Sequence, residues 1–379
     1  MFVGITNTPR DYAWGSTTAI AGLLGTAPSG GPEAELWLGA HPGSPSRTVD
    51  GAGTLADVVE GRLPFLLKVL AAASPLSLQA HPTMEQAAVG FERENALGIP
   101  LDAAERNYKD AFHKPELIYA LSDDFRALCG FRPAHAIAST IERMIGAVPG
   151  DPSLNGFSDR LGTDDDLRAA FEWLVAGGDD VDELVATVVD AASRLEGDNF
   201  TLVGELAAAY PGDPGIVVSL MLNLVTLHRG EVLYLPAGNI HAYVEGLGIE
   251  LMAASDNVLR GGLTPKHIDV PELLSVLDFT PVAVPYLEPR TVWPGVELYA
   301  PDVPDFALAV VAGTVEDARY SIGGDGIVLC TSGSFELTGA GASVRLSRGE
   351  ALFVTADEGE LAFTGDGQLF VAGPGTAAR

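Results

Sequence analysis

His228-Arg-Gly-Glu-Val-Leu-Tyr-Leu235 and Ser347-Arg-Gly-Glu-Ala-Leu-Phe-Val354 follow one pattern: a polar residue, Arg-Gly-Glu, then a short apolar run. Each reads as a glycine turn feeding a β-strand. A unit that recurs within one chain points to related β structures, here two barrels. On this register His241 falls opposite Glu360, so only the first copy keeps a histidine.

Working outward, strands dominate from Glu231 to the end of the sequence. Upstream, short apolar runs between Gly/Pro turns mark strands at Glu35–Leu38, Pro64–Leu70 and Leu76–His81. The period then changes. Thr83 with Gln86 forms a capping box that opens a helix toward Asn95. Leu184, Val185, Val188, Val189, Ala192 and Leu195 share one helical face, with Gly197 as the stop. Asp213-Pro214 supplies an N-cap and first-turn proline for a helix through Leu224. The expected architecture is mainly β with an α-helical insertion. A catalytic β unit covers 1–131 and 228–284, a helical unit 132–227, and a second β unit 285–379.

The 44 Gly and 25 Pro among 379 residues suit a turn-rich β protein, and 47% hydrophobic residues can fill a sizeable core. With 22 basic against 51 acidic residues the formal charge is −29, which repels phosphate backbones and argues against nucleic acid as a partner. Any anionic ligand then needs a locally basic site, so the few cations are informative. Cys129 and Cys330 are too few for a disulfide framework or a thiolate zinc site, and read as inert buried thiols. MFVGITNTPRDYAWGS has no basic region followed by an apolar run, so a cytoplasmic location is expected. Ile216–Leu227, broken by Ser219, Asn223 and Thr226, is too short to span a bilayer, and no membrane partner is expected.

Three segments concentrate the chemistry. In an extended Leu76-Ser-Leu-Gln-Ala-His-Pro82, Ser77, Gln79 and His81 point one way while Leu78 and Ala80 pack inward. In His113-Lys-Pro-Glu-Leu117, Lys114 and Glu116 share a face. In Gly230–His241 a strand ends in a Pro–Gly turn that delivers a histidine at the barrel mouth. Two histidines, a carboxylate and an amide would leave room for water or substrate, as a catalytic zinc site requires. Gln79 is a poor zinc ligand by type, and the other role open to it is a buried amide bonded to backbone.

Those segments, with Tyr12-Ala-Trp-Gly-Ser16, Ala34-Glu-Leu-Trp-Leu-Gly-Ala-His-Pro42, Leu67-Lys-Val-Leu70, Pro236-Ala-Gly-Asn-Ile-His-Ala242 and Met252-Ala-Ala-Ser-Asp-Asn-Val-Leu-Arg-Gly-Gly-Leu-Thr-Pro-Lys266, resemble the type I mannose-6-phosphate isomerases. Between about Ala134 and Tyr210, and over the last 90 or so residues, the likeness says nothing. The resemblance implies cupin/jelly-roll β-sandwich barrels and a zinc-dependent interconversion of mannose 6-phosphate and fructose 6-phosphate. It implies that Gln79, His81, Glu116 and His241 hold one zinc ion. It also implies that Arg260, with Lys114 and Glu250, lines the reacting end of the sugar. The second β unit, with Glu360 in place of histidine, is expected to carry no metal.

Isomerisation moves a proton between C2 and C1 through an enediol, and a guanidinium at Arg260 would steady the enediolate. Lys68, Lys266 and Ser77 are expected to contact phosphate. Asp256 and His113 are expected on the substrate side, orienting their neighbours. Trp14 and Trp37 read as core anchors. The partner is a small sugar phosphate, and a monomer is expected. Two other readings are a sugar-phosphate-binding cupin without catalysis and a cupin oxygenase. An iron oxygenase usually wants two histidines and one carboxylate, and Gln79 fits that set less well.

Overall fold

A computed structural model describes residues 1–375. Its organising element is the strand His241–Ala253. The first part of this spine pairs with Leu78–Ala80 and Phe125–Phe131, the rest with Phe65–Ala72 and Glu116–Ala120, all antiparallel. Leu259–Gly262, Leu222–Leu227, Glu35–Leu38 and Val232–Leu235 extend the sheet to nine strands. Leu70, Ile118 and Ala120 from one half pack with Phe125, Cys129 and Val225 from the other, giving a sandwich with a shared core.

Pairing changes over at Gly246, whose φ of 135° lies in the region that favours glycine. A Cβ added there would meet the Phe125 Cα at 2.8 Å, so neither the conformation nor the space admits another residue. Gly246→Ala is expected to destabilise the chain by about 3 kcal/mol. Gly204, inside the helix Asp198–Ala209 with nothing within 4 Å of a Cβ, is the contrast. Gly204→Ala should stabilise by up to about 1 kcal/mol. Urea midpoints moving in these opposite directions are the check.

The second sheet also has nine strands. Its strand Ala351–Val354 and the following Glu360–Gly373 stand where Val232–Leu235 and His241–Ala253 stand in the first, so His241 and Glu360 both open a long strand. The architecture is the expected β one with helices, with one difference. Among the described residues no strand pair closes either sheet into a barrel. Phe2–Thr6 also departs from expectation. It pairs with Ala351–Val354 and Arg47–Thr48, and so belongs to the C-terminal sheet although it lies within 1–131. A short strand carries no local signal of which sheet edge it will complete. Leu36, Phe65, Leu67 and Leu251 pack against Phe306, Leu308, Phe353 and Phe370 where the two sheets meet.

The helices cover the outside of the Leu78–Ala80 half, where Leu78, Ala80, Leu128 and Ala242 meet Ile137, Phe171, Leu184 and Leu220. Met84–Ala96 opens on the Thr83/Gln86 capping box. Asp179–Ala192 buries Leu184, Val185 and Val188 but ends at Ser193; Gly197, at φ 134°, instead precedes the next helix. The helix after Pro214 stops at Met221, because Leu222–Leu227 is claimed by pairing with Phe125–Phe131. Among the described residues no helix is long and apolar enough to cross a membrane.

Candidate active site

The alternation of Leu78–Ala80 turns Gln79 away from the helices. Gln79 is the cross-strand neighbour of His241 on one side and of Arg260 on the other. Lys68 likewise lies between Trp37 and Glu250. Cross-strand neighbours share a face, so register alone assembles much of the site.

His81, Glu116 and His241 are each 1% exposed, and one donor atom from each falls within 4.8 Å of the others. His81 Nε2 stands 3.3 Å from Glu116 Oε1, and His241 Nε2 stands 3.3 Å from Glu116 Oε2. The Gln79 amide is 3.3 Å from His241 Nε2. Both rings donate from Nδ1 to carbonyls, His81 to Asn257 at 2.7 Å and His241 to Asn239 at 3.1 Å. That leaves both Nε2 lone pairs turned inward, the arrangement metal-bound histidines adopt. Burial holds the His81 ring neutral, lowering its pKa to about 4. Burial alone would raise the Glu116 carboxyl. The Lys114 ammonium, 2.9 Å away, and the two histidines outweigh it and hold Glu116 well below the usual range. His81 Nε2 and Glu116 Oε2 are buried with no hydrogen-bond partner, a costly state that a bound cation would relieve. The donor set of two imidazoles and a carboxylate fits zinc, with the Gln79 amide beside it against His241.

Above this cluster lies a cavity of 570 Å³, within the range of small-molecule sites. Gln79 and Glu116 reach it, as do Ser77, Lys68, Lys114, Glu250, Asp256, Arg260 and Lys266. It thus gathers four of the chain's 22 basic residues. Among the described residues the half-buried Arg260 guanidinium has no ion-pair or hydrogen-bond partner, and burial lowers its pKa. Burial raises the Glu250 carboxyl, against the opposing pull of Lys68. Lys68 Nζ binds Glu250 at 2.7 Å and Glu35 at 3.6 Å. Burial would lower Lys68, but those carboxylates raise it, so it is a fixed cation with its charge already met. A phosphate contact from Lys68 is thereby disfavoured.

His113 stands apart from the cavity lining, its Nε2 on Asp305 at 2.7 Å. Asp256 lines the cavity and faces His41 at 3.4 Å. Trp14 and Trp37, read from sequence as core anchors, form part of the cavity wall. Sequence reading missed Glu35, Tyr210, Tyr243 and Thr264 in that wall. The period-two run Glu35-Leu-Trp37 could have revealed Glu35. Nothing local marked Tyr210.

A two-histidine, one-carboxylate site on a β-sandwich, beneath a cavity where Arg260 and Lys266 have no carboxylate partner among the described residues, is the arrangement of a metal-dependent enzyme of small anionic substrates. A family model described as the type I phosphomannose isomerase catalytic domain matches residues 2–134. Mannose-6-phosphate isomerase of Escherichia coli (strain K12) is 38% identical over 96% of this chain and 97% of its own length. The Homo sapiens protein of that name is 32% identical, over 92% of each. A crystal structure of mannose 6-phosphate isomerase from Salmonella typhimurium, bound to substrate (f6p) and zinc, superposes with a TM-score of 0.90 at 35% identity. It covers 99% of this chain and 100% of that one. The chain belongs to the type I mannose-6-phosphate isomerase family.

Proposed function

We propose that this protein interconverts mannose 6-phosphate and fructose 6-phosphate, with one zinc ion held by Gln79, His81, Glu116 and His241. The observation that carries the reading is the Arg260 guanidinium, unpaired in the cavity and one strand from Gln79, where an oxyanion can be met. When bound, zinc supplies a Lewis acid toward the C1 and C2 oxygens. Arg260 donates to the enediolate as negative charge develops. Glu250 takes the proton from one carbon and returns it to the other. Its carboxyl is raised by burial and oriented by Lys68 at 2.7 Å, whereas the Lys114 ammonium is engaged by Glu116. Ser77 and Lys266 meet the phosphate, with Asp256 at the sugar.

The same reading gives the catalytic role to the β unit of 1–131 and 228–284, less its opening strand. The helical unit of 132–227 and the C-terminal unit of 285–379 are support. In the C-terminal unit Glu360, the counterpart of His241, is paired with Arg319 at 3.0 Å. In this reading the working unit is a monomer. The acidic composition supports a partner other than nucleic acid, and a cytoplasmic location is part of the same reading.

A coupled assay with mannose 6-phosphate, with and without a zinc-selective chelator, tests the function. Activity should vanish with chelator and return with added zinc. A zinc-loaded protein that binds the sugar phosphate without turning it over would be a binding cupin instead. Product formation that requires oxygen would indicate an oxygenase.

A further inference from the structure

The helical block contributes one turn to the cavity, at Tyr210–Gly215, and the contacts of that turn are specific. One Asp213 carboxylate oxygen accepts the N–H groups of Gly215 at 2.7 Å and Leu263 at 2.9 Å; the other accepts the N–H of Thr264 at 3.2 Å. Leu263 and Thr264 run into Pro265 and Lys266, and all four line the cavity. This loop is not at rest by its own preferences. Leu263, bulky and buried, sits at φ 54° directly after Gly262 at 137°. A non-glycine residue stays in the left-handed region only where its surroundings over-determine it. Asp213, with three N–H donors on one carboxylate, supplies that constraint. The two segments touch so closely that a Cβ on Gly262 would meet the Gly215 Cα at 2.9 Å. A Cβ on Gly215 would in turn meet the Leu263 nitrogen at 2.8 Å.

Tyr210, in the same turn, secures a different wall. Its ring lines the cavity and its hydroxyl donates to the Pro75 carbonyl at 2.7 Å, immediately before Leu76 and Ser77. The turn is also internally closed, the Asp213 N–H reaching the Tyr210 carbonyl at 3.1 Å. One rigid turn of the helical block therefore ties the segment bearing Ser77 to the loop bearing Thr264 and Lys266. None of these bonds involves a metal ligand.

We propose that Asp213 and Tyr210 are positioning residues that fix the separation of Ser77 and Lys266, making the helical block responsible for recognition of the substrate's phosphate end. The inference rests on the isomerase reading and adds to it a duty for a block with no group at the reacting carbons.

Asp213→Asn is the main test. It preserves shape but sets an NH2 donor against a backbone N–H. KM for mannose 6-phosphate should rise about tenfold, the scale of one lost charged hydrogen bond, with kcat within about twofold of the parent. Bound zinc should be unchanged. Because Asp213 acts through Lys266, adding Asp213→Asn to Lys266→Ala should change KM little further. Tyr210→Phe keeps the ring and loses only the bond to Pro75; its KM should rise about threefold, and it carries the test if Asp213→Asn fails to fold. A parent-like KM in Tyr210→Phe, a fall in kcat at constant KM, or additive effects in the double variant would each overturn the proposal. A zinc-loaded parent without isomerase activity would instead defeat the reading of function.

Discussion

His81→Ala or His241→Ala is expected to lose the metal, and with it more than about 99% of isomerase activity, while the chain stays folded. Changing a partner that merely orients a ligand already costs 10- to 100-fold, and deleting the ligand should exceed that. Folding should survive because the site does not hold the sandwich together. Leu78 and Ala80 anchor their strand in the helical core whatever occupies position 81, and the spine strand keeps its partners on both sides. This is the reverse of a zinc finger, where binding free energy is folding free energy. Metal analysis after dialysis, with circular dichroism on the same samples, reads both halves of the expectation. Parent-level zinc in either variant would strike that histidine from the ligand set. Loss of the fold would mean that the metal is structural.

Arg260→Lys is expected to lower kcat and kcat/KM together by about 100-fold or more, leaving KM near the parent value. Lysine keeps the charge but not the planar fork that can meet two oxygens of an enediolate. The Arg260 head is half-buried, has no acceptor among the described residues, and stands in register beside Gln79, so the donor is prepared before substrate arrives. Steady-state kinetics with mannose 6-phosphate separates two roles. If Arg260 held the phosphate, KM would rise at constant kcat, the pattern expected for Asp213→Asn.

Much of the fold was readable because its cues are periodic or local. Alternation in Leu76–Pro82 separated Gln79 from Leu78, and the Thr83/Gln86 pair announced its helix. The Arg-Gly-Glu repeat placed His241 and Glu360 at equivalent strand starts. What stayed hidden depends on partners remote in sequence. Nothing near Phe2–Thr6 tells which edge it will join. Lys68 reads as a lone cation until Glu35 and Glu250 are brought to it by adjacent strands. Asp213 reads as a helix cap, and it does accept from Gly215, but its other bonds reach a loop that sequence alone does not place nearby. His113 sits in the segment of the candidate metal ligand Glu116 yet faces Asp305, since its own strand begins only at Glu116.

The placement of Phe2–Thr6 bears on the order in which the molecule is made. During synthesis this strand is extruded well ahead of Ala351–Val354, the edge it will complete. The site-bearing sheet lacks that dependence, because every strand in it lies at or before Leu259–Gly262. Its pairings can therefore form on the ribosome while the C-terminal strands are still being translated. Phe2–Thr6 spans the longest sequence separation of any described strand pair, so it cannot pair before Ala351–Val354 has been made. The residues of the candidate metal pocket are thus all available for assembly before the sheet that lends them an apolar backing can be completed.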